Sequence, residues 1–173
     1  VFVDEIRMYA SAERTPDGIE YRGTRYGTVT GELCGDCQSE NAATVLAALE
    51  RLEGRFPLIS SAAVRAGFAD VCRLTGLAGR WMRLPAPEGV QAFCDTGHNI
   101  GGWRYLGPRL RSLASEGPLT IVAGFVNDKD VGAIMAEMPR TARYFFVEPS
   151  IARARHAIDT AMTNLYTVTD ATA

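Results

Sequence analysis

The chain has 173 residues, 47% of them hydrophobic, and a formal net charge of −2, which suits slightly more than one ordinary domain with a real core. A near-neutral balance without a Lys/Arg cluster argues against nucleic acid or an anionic membrane as the main partner. No apolar run reaches the roughly eighteen residues that span a bilayer, and no charged-then-apolar leader opens the chain.

The chain starts at Val1 and stops within a polar run, Thr167 to Ala173, so a piece of a longer soluble, cytoplasmic protein is expected. Residues 1–33 hold Ile19-Glu20-Tyr21-Arg22 and Tyr26-Gly27-Thr28-Val29 between glycines, the pattern of short strands joined by turns. A helix begins at Ser39, with that serine as N-cap, a buried stripe of Val45, Leu46, Leu49 and Leu52, and Gly54 as its stop. Gln38 and Asn41 fall in or before its first turn, beside free backbone N–H groups. Ser60 caps a second helix with Val64, Phe68, Val71 and Cys72 on its apolar face, and Thr75-Gly76 ends it.

From Gly76 the pattern alternates. Strands are expected at 80–84, 89–94, 119–123 and 143–147, and helices at about 99–115, over Val131 to Met138, and from Ile151 to Met162. Such an order implies right-handed crossovers and an α/β fold: a Rossmann-like, mostly parallel sheet flanked by helices on both faces. The loops that follow strands would then emerge along one edge. These are Asp95 to Asn99, Phe125 to Asp130, and Glu148-Pro149-Ser150, with Arg153 in the first turn of the next helix.

Each polar group on that edge has a plain structural reading beside the functional one. Asp95 and Asn99 suit helix capping, with His98 a solvated loop residue. Lys129, the only lysine in the chain, lies between Asp128 and Asp130 as in an ordinary salt-bridged loop. The same ammonium suits a small carboxylate or phosphate, and Ser150 and Arg153 add a hydroxyl, a guanidinium and a helix dipole.

Four cysteines, Cys34, Cys37, Cys72 and Cys94, without secretory signals are expected as reduced thiols. Cys34-Gly35-Asp36-Cys37 is a C-x-x-C, but a structural zinc site wants a second pair or two histidines at suitable spacing. A redox role would draw on Cys37 preceding a helix N-terminus, which lowers a thiol pKa. Cysteines placed in a turn by chance are the better reading.

Taken together, five short runs resemble one family, the folylpolyglutamate synthases, often bifunctional with dihydrofolate synthase, within the Mur ligase superfamily. They are Cys37-Gln38-Ser39-Glu40-Asn41-Ala42-Ala43, Gly79-Arg80, Asp95-Thr96-Gly97-His98-Asn99, Gly124 with Asp128-Lys129-Asp130, and Ser150 with Arg153-Ala154. The family shows His where Cys37 stands and Gly-Ala where Thr96-Gly97 stand. The resemblance implies an ATP- and Mg2+-dependent ligase that joins L-glutamate to a folate through an acyl phosphate.

By position in the family pattern, Asn41, Arg80 and Asp95 match ATP contacts and His98 the catalytic histidine. Lys129, Ser150 and Arg153 match the side that meets glutamate. Residues 1–55 would be the end of a central ATPase domain, 56–75 a helical connection, and 76–173 a truncated Mur ligase-like C-terminal domain. No G-x-x-x-x-G-K-[ST] occurs in the chain, so the phosphate-cradling loop and the metal ligands are expected elsewhere, in the remainder of the ATPase domain. A monomer is expected, and the chain by itself is expected to be inactive. The competing readings are another Mur-type ligase, such as a muramyl-peptide ligase, a non-catalytic nucleotide- or amino-acid-binding module, and a Rossmann-like domain whose loop polars only cap helices.

Overall fold

The computed structural model describes residues 7–127, 130–148, 150–152, 154–156 and 159. The chain forms two compact units, 1–96 and 97–173.

In the first unit, β1 (Ser11–Thr15), β2 (Gly18–Thr24) and β3 (Gly27–Gly31) make an antiparallel meander. The two strands expected around Tyr21 and Val29 are present; β1, polar along its length, carried no apolar alternation to announce it. One face of the meander buries Ile19, Tyr21 and Val29 against Ala42 and Leu46 of α1 (Gln38–Leu52) and Val64 of α2 (Ser61–Ala69). Here the sheet and two helices share one apolar core, which is how a layered α/β unit closes.

α1 starts one residue before the expected position. Its N-cap is Cys37, which makes no side-chain capping bond, so Ser39 is a first-turn residue and not the cap. Of its expected stripe Leu46 is buried, whereas Val45 and Leu52 are 45% and 39% exposed. Ser60 does cap α2, its side chain accepting from the Ala63 N–H at 3.2 Å. The helical segment breaks at Asp70, and α3 (Val71–Thr75) ends on Gly76, whose φ of 72° is the left-handed conformation glycine supplies at low cost.

The strands β4 (Met82–Leu84) and β5 (Ala92–Cys94) pair antiparallel, Met82 opposite Cys94 and Leu84 opposite Ala92. This corrects the expected parallel arrangement. Residues 85–91 between them contain no helix, and a parallel pair needs a crossover of about a dozen residues or more. A short link folds back on itself and makes a ribbon.

The second unit holds α4 (Ile100–Glu116), β6 (Thr120–Ala123), α5 (Val131–Glu137) and β7 (Arg143–Phe146). Here β6 and β7 are parallel with Thr120 opposite Arg143, the crossover running through α5. Val131, Ile134, Met135 and Met138 are all buried, as their spacing requires. Among the described residues this is the one parallel pair, so the sheets are mostly antiparallel where a mostly parallel, Rossmann-like sheet was expected. Val122 and Phe145, on the other face of the pair, are 67% and 54% exposed; a sheet covered on both faces would bury them.

A further correction falls after β7. Ile151, Ala152 and Ala154 to His156 are not helical; Ala154 bridges to Val126, and the Arg155 N–H donates to the Phe125 carbonyl at 2.9 Å. Of the remainder of the helix expected over Ile151–Met162, Asp159 is helical and the other residues lie outside the described ones. No described helix is long and apolar enough to cross a membrane.

Candidate functional site

β1 and the turn over 34–36 meet at the start of α1. Arg14 of β1 fixes the preceding turn: its guanidinium donates to the Cys34 carbonyl at 2.6 Å and pairs with Asp36. The Gln38 N–H closes that turn on the Gly35 carbonyl at 3.0 Å. Asn41, exposed one turn into the helix, donates through Nδ2 to Gln38 Oε1 at 3.2 Å and approaches Cys37 Sγ at 3.7 Å. Beside them a half-open apolar cavity of about 410 Å³ is lined by Tyr21, Leu49, Leu58 and Phe68, with Gln38 and Asn41 as its polar edge.

The β4–β5 ribbon brings Arg80 and Asp95 to one end, just outside its last paired residues Met82 and Cys94. Gly79 has φ 70° and Trp81 φ 51°, two left-handed residues flanking Arg80. Three donors converge on the Gly79 carbonyl: the Thr96 N–H at 3.0 Å, the Thr96 hydroxyl at 3.1 Å and Arg80 Nη1 at 3.2 Å. Arg80 Nη1 also donates to Thr96 Oγ1. The Trp81 N–H donates to Asp95 Oδ2 at 2.8 Å, and its ring stacks on Phe93 with centroids 4.9 Å apart. A Cβ at Gly79 would lie 2.6 Å from Thr96 Cγ2, so only glycine suits this approach.

The two ends communicate through charge. Burial pushes the Cys37 thiol up; the carboxylates of Asp95 and Asp36 add to that shift and the Arg80 guanidinium opposes it. The charges of Asp95 and Arg80 are therefore felt at Cys37, the N-cap of the helix that carries Asn41. Cys37 itself is the reverse of an activated thiol. The expected lowering at the helix N-terminus is outweighed by burial, which favours the neutral form.

Within the second unit, Asn99 caps α4, its Oδ1 accepting from the Gly102 N–H at 2.8 Å. That is the capping role weighed for it from the sequence. Exposed His98 hydrogen-bonds through Nε2 to Asn99 Nδ2 at 3.0 Å. Trp103 Nε1 donates to the Gly97 carbonyl at 2.9 Å, and a Cβ on Gly97 would meet Leu106 Cδ2 at 2.9 Å. Asp130 caps α5, accepting from the Ala133 N–H at 3.0 Å.

The loops after the parallel strands β6 and β7 do share an edge. Asn127 Nδ2 donates to the Ala154 carbonyl at 2.9 Å, and exposed Ser150 lies in the loop after β7. The geometric argument for a common rim holds for these two strands. It does not extend to Asp95, whose strand is half of an antiparallel ribbon in the other unit. Lys129 and Arg153 lie outside the described residues.

Sequence reasoning gave Thr96 and His156 no role in a site. The departure of Thr96 from the family's glycine was the available signal for the first. His156, paired with Glu148 at 2.9 Å, carried none.

Among the described residues no group of three His, Cys, Asp or Glu is placed to hold a metal ion. The polar groups of the first unit, the Asn41 amide, the Arg80 guanidinium and the Asp95 carboxylate, are of types that suit a nucleotide better than a bare cation.

By fold and by the order of its polar runs, the chain is a folylpolyglutamate synthase-like α/β segment. It is similar to folylpolyglutamate synthase from Mycobacterium tuberculosis, solved as a complex with ADP, with a TM-score of 0.70 and 26% identity over 92% of this chain and 35% of that one. Escherichia coli FolC in complex with DHPP and ADP shares the fold at TM-score 0.63 and 24% identity, over 88% of this chain and 35% of that one. A bifunctional folylpolyglutamate synthase/dihydrofolate synthase with Mn, AMPPNP and L-glutamate bound aligns at TM-score 0.56 and 26% identity, over 89% of this chain and 36% of that one. The chain thus spans about a third of the length of the enzymes it matches. No protein-family model and no curated protein sequence matches it.

Proposed function

We propose that the chain is the nucleotide-facing part of an ATP-dependent ligase that adds L-glutamate to a folate. The observation that carries this reading is the gathering of Asn41, Arg80 and Asp95 in one compact unit, with the charges of the last two reaching the helix start that bears the first. The order of the five sequence runs and the likeness to folylpolyglutamate synthases support it.

In this reading Asn41 offers an amide to a base edge, Arg80 clamps phosphate oxygens, and Asp95 accepts from ribose hydroxyls. The fit rests on Arg80. Thr96 and the Gly79 carbonyl occupy Nη1, and among the described residues no hydrogen bond engages Nε or Nη2, which leaves the forked edge for a ligand. Bound ATP would supply the phosphoryl group that activates the folate carboxylate for attack by the glutamate amine. His98 serves near the reacting groups, and Lys129, Ser150 and Arg153 receive the incoming amino acid. We assign 1–55 to the end of a central ATPase domain, 56–75 to a helical connection and 76–173 to a C-terminal domain. The Mg2+ ligands are assigned to the remainder of the ATPase domain. The protein is read as a cytoplasmic monomer.

Calorimetric titration of the complete protein with ADP tests the assignment. Arg80→Ala weakens binding by about tenfold to a hundredfold, the worth of charge-assisted hydrogen bonds. His98→Ala leaves ADP affinity within about twofold and lowers glutamylation instead. ADP affinity unchanged by Arg80→Ala overturns the site. The purified 173-residue chain is expected to show no ATP-dependent glutamylation; turnover by it refutes the division of labour.

A further inference from the structure

We propose that Thr96 is a positioning residue for Arg80, setting which edge of the guanidinium is presented to the nucleotide. This rests on the reading of Arg80 as a phosphate contact and adds a residue to it. The hydroxyl of Thr96 has one proton to give and lone pairs to receive with, and both are used. It donates to the Gly79 carbonyl at 3.1 Å and accepts from Arg80 Nη1.

The hydroxyl is itself held in place. Its own backbone N–H is tied to the Gly79 carbonyl at 3.0 Å, across a gap that a Cβ at Gly79 would fill at 2.6 Å. Arg80 sits between the two left-handed residues Gly79 and Trp81, so its backbone direction is fixed and its side chain is the remaining freedom. An arginine carries several rotatable bonds, and ordering them before the ligand arrives lowers the entropy lost on binding. With Nη1 engaged, the Nε–Nη2 edge is the one left for an oxyanion, and that edge gives the parallel two-bond geometry. Glycine at position 96, as in the related sequence pattern, has no side chain to do this.

The experiment compares Thr96→Val, of the same shape without the hydroxyl, with Thr96→Ser, which restores it. Two readouts are taken on the complete protein: ADP affinity by calorimetry, and rotation of the Arg80 guanidinium about Nε–Cζ by NMR without nucleotide. Thr96→Val weakens ADP about tenfold and speeds guanidinium rotation, Thr96→Ser stays near wild type in both, and the melting temperatures agree. Should Thr96→Val fail to fold, Thr96→Ala against Thr96→Ser carries the same comparison. Thr96→Val at wild-type affinity, while Arg80→Ala loses ADP, overturns the positioning role and leaves the site standing. Faster guanidinium rotation in Thr96→Val alongside Arg80→Ala at wild-type affinity overturns the site, and with it the purpose of the positioning.

Discussion

The backbone N–H of Trp81, a residue held at φ 51°, donates to Oδ2 of Asp95 at 2.8 Å. A bulky side chain in the left-handed region costs about 1–3 kcal/mol and persists only where the surroundings impose it. The carboxylate and the Phe93 ring, stacked 4.9 Å away, impose it here. Asp95→Ala therefore loses about 1–2 kcal/mol in urea unfolding and shifts Trp81 fluorescence, and Asp95→Asn, which keeps an acceptor, loses about half as much. Equal stability of Asp95→Ala and wild type would show that the strain is held elsewhere.

Asn99 has a structural task next to the histidine assigned to chemistry. Replacing it with alanine removes the acceptor for the Gly102 N–H and costs about 1 kcal/mol, whereas Asn99→Asp keeps the cap. Hydrogen exchange in the first turn of α4 reports it: faster in the alanine variant, unchanged in the aspartate variant.

Cys37 resists modification. Burial favours its neutral thiol, and the thiolate is the reacting species. Its alkylation at pH 8, followed by mass spectrometry, runs slower in the folded protein than in urea and climbs as pH rises beyond the ordinary thiol range. The linkage has one sign: the unfolded thiol ionises first, so this group's contribution to stability is present below the unfolded pKa and lost as pH rises through the folded one. Alkylation as fast in the folded protein as in urea would restore the redox reading.

His156 is the group whose titration reports the loop after β7. Its hydrogen bond to Glu148, and then the charge of that carboxylate, raise it above the usual 6.5, with a smaller contribution from Asp159. The attraction is therefore present below the unfolded pKa and fades as pH rises through the folded one. An NMR titration places the imidazole midpoint above 6.5, and Glu148→Gln moves it back towards that value. A midpoint that ignores Glu148→Gln contradicts the pairing.

Much of this protein was legible along the chain because the signals are local. Ile134 and Met138 fall on one helical face whatever surrounds them, Ser60 finds the Ala63 N–H three residues on, and Asn99 finds that of Gly102. The five runs that resemble the folate ligases are likewise contiguous residues. Strand pairing is not local in this sense. Arg80 and Asp95 read as separate strand ends, and the helix-free link over 85–91 was the overlooked sign that their strands run antiparallel.

By itself the sequence determined the apolar face of α5, the caps Ser60 and Asn99, and the amide, guanidinium and carboxylate types available for a nucleotide, since periodicity and short-range hydrogen bonds depend only on neighbours. Only the tertiary structure decided that partial burial pushes the Cys37 thiol up, and that Thr96 and the Gly79 carbonyl share Nη1 of Arg80. Desolvation and a hydrogen bond between residues 80 and 96 exist only once distant segments have closed on one another, and no spacing along the chain encodes that closure.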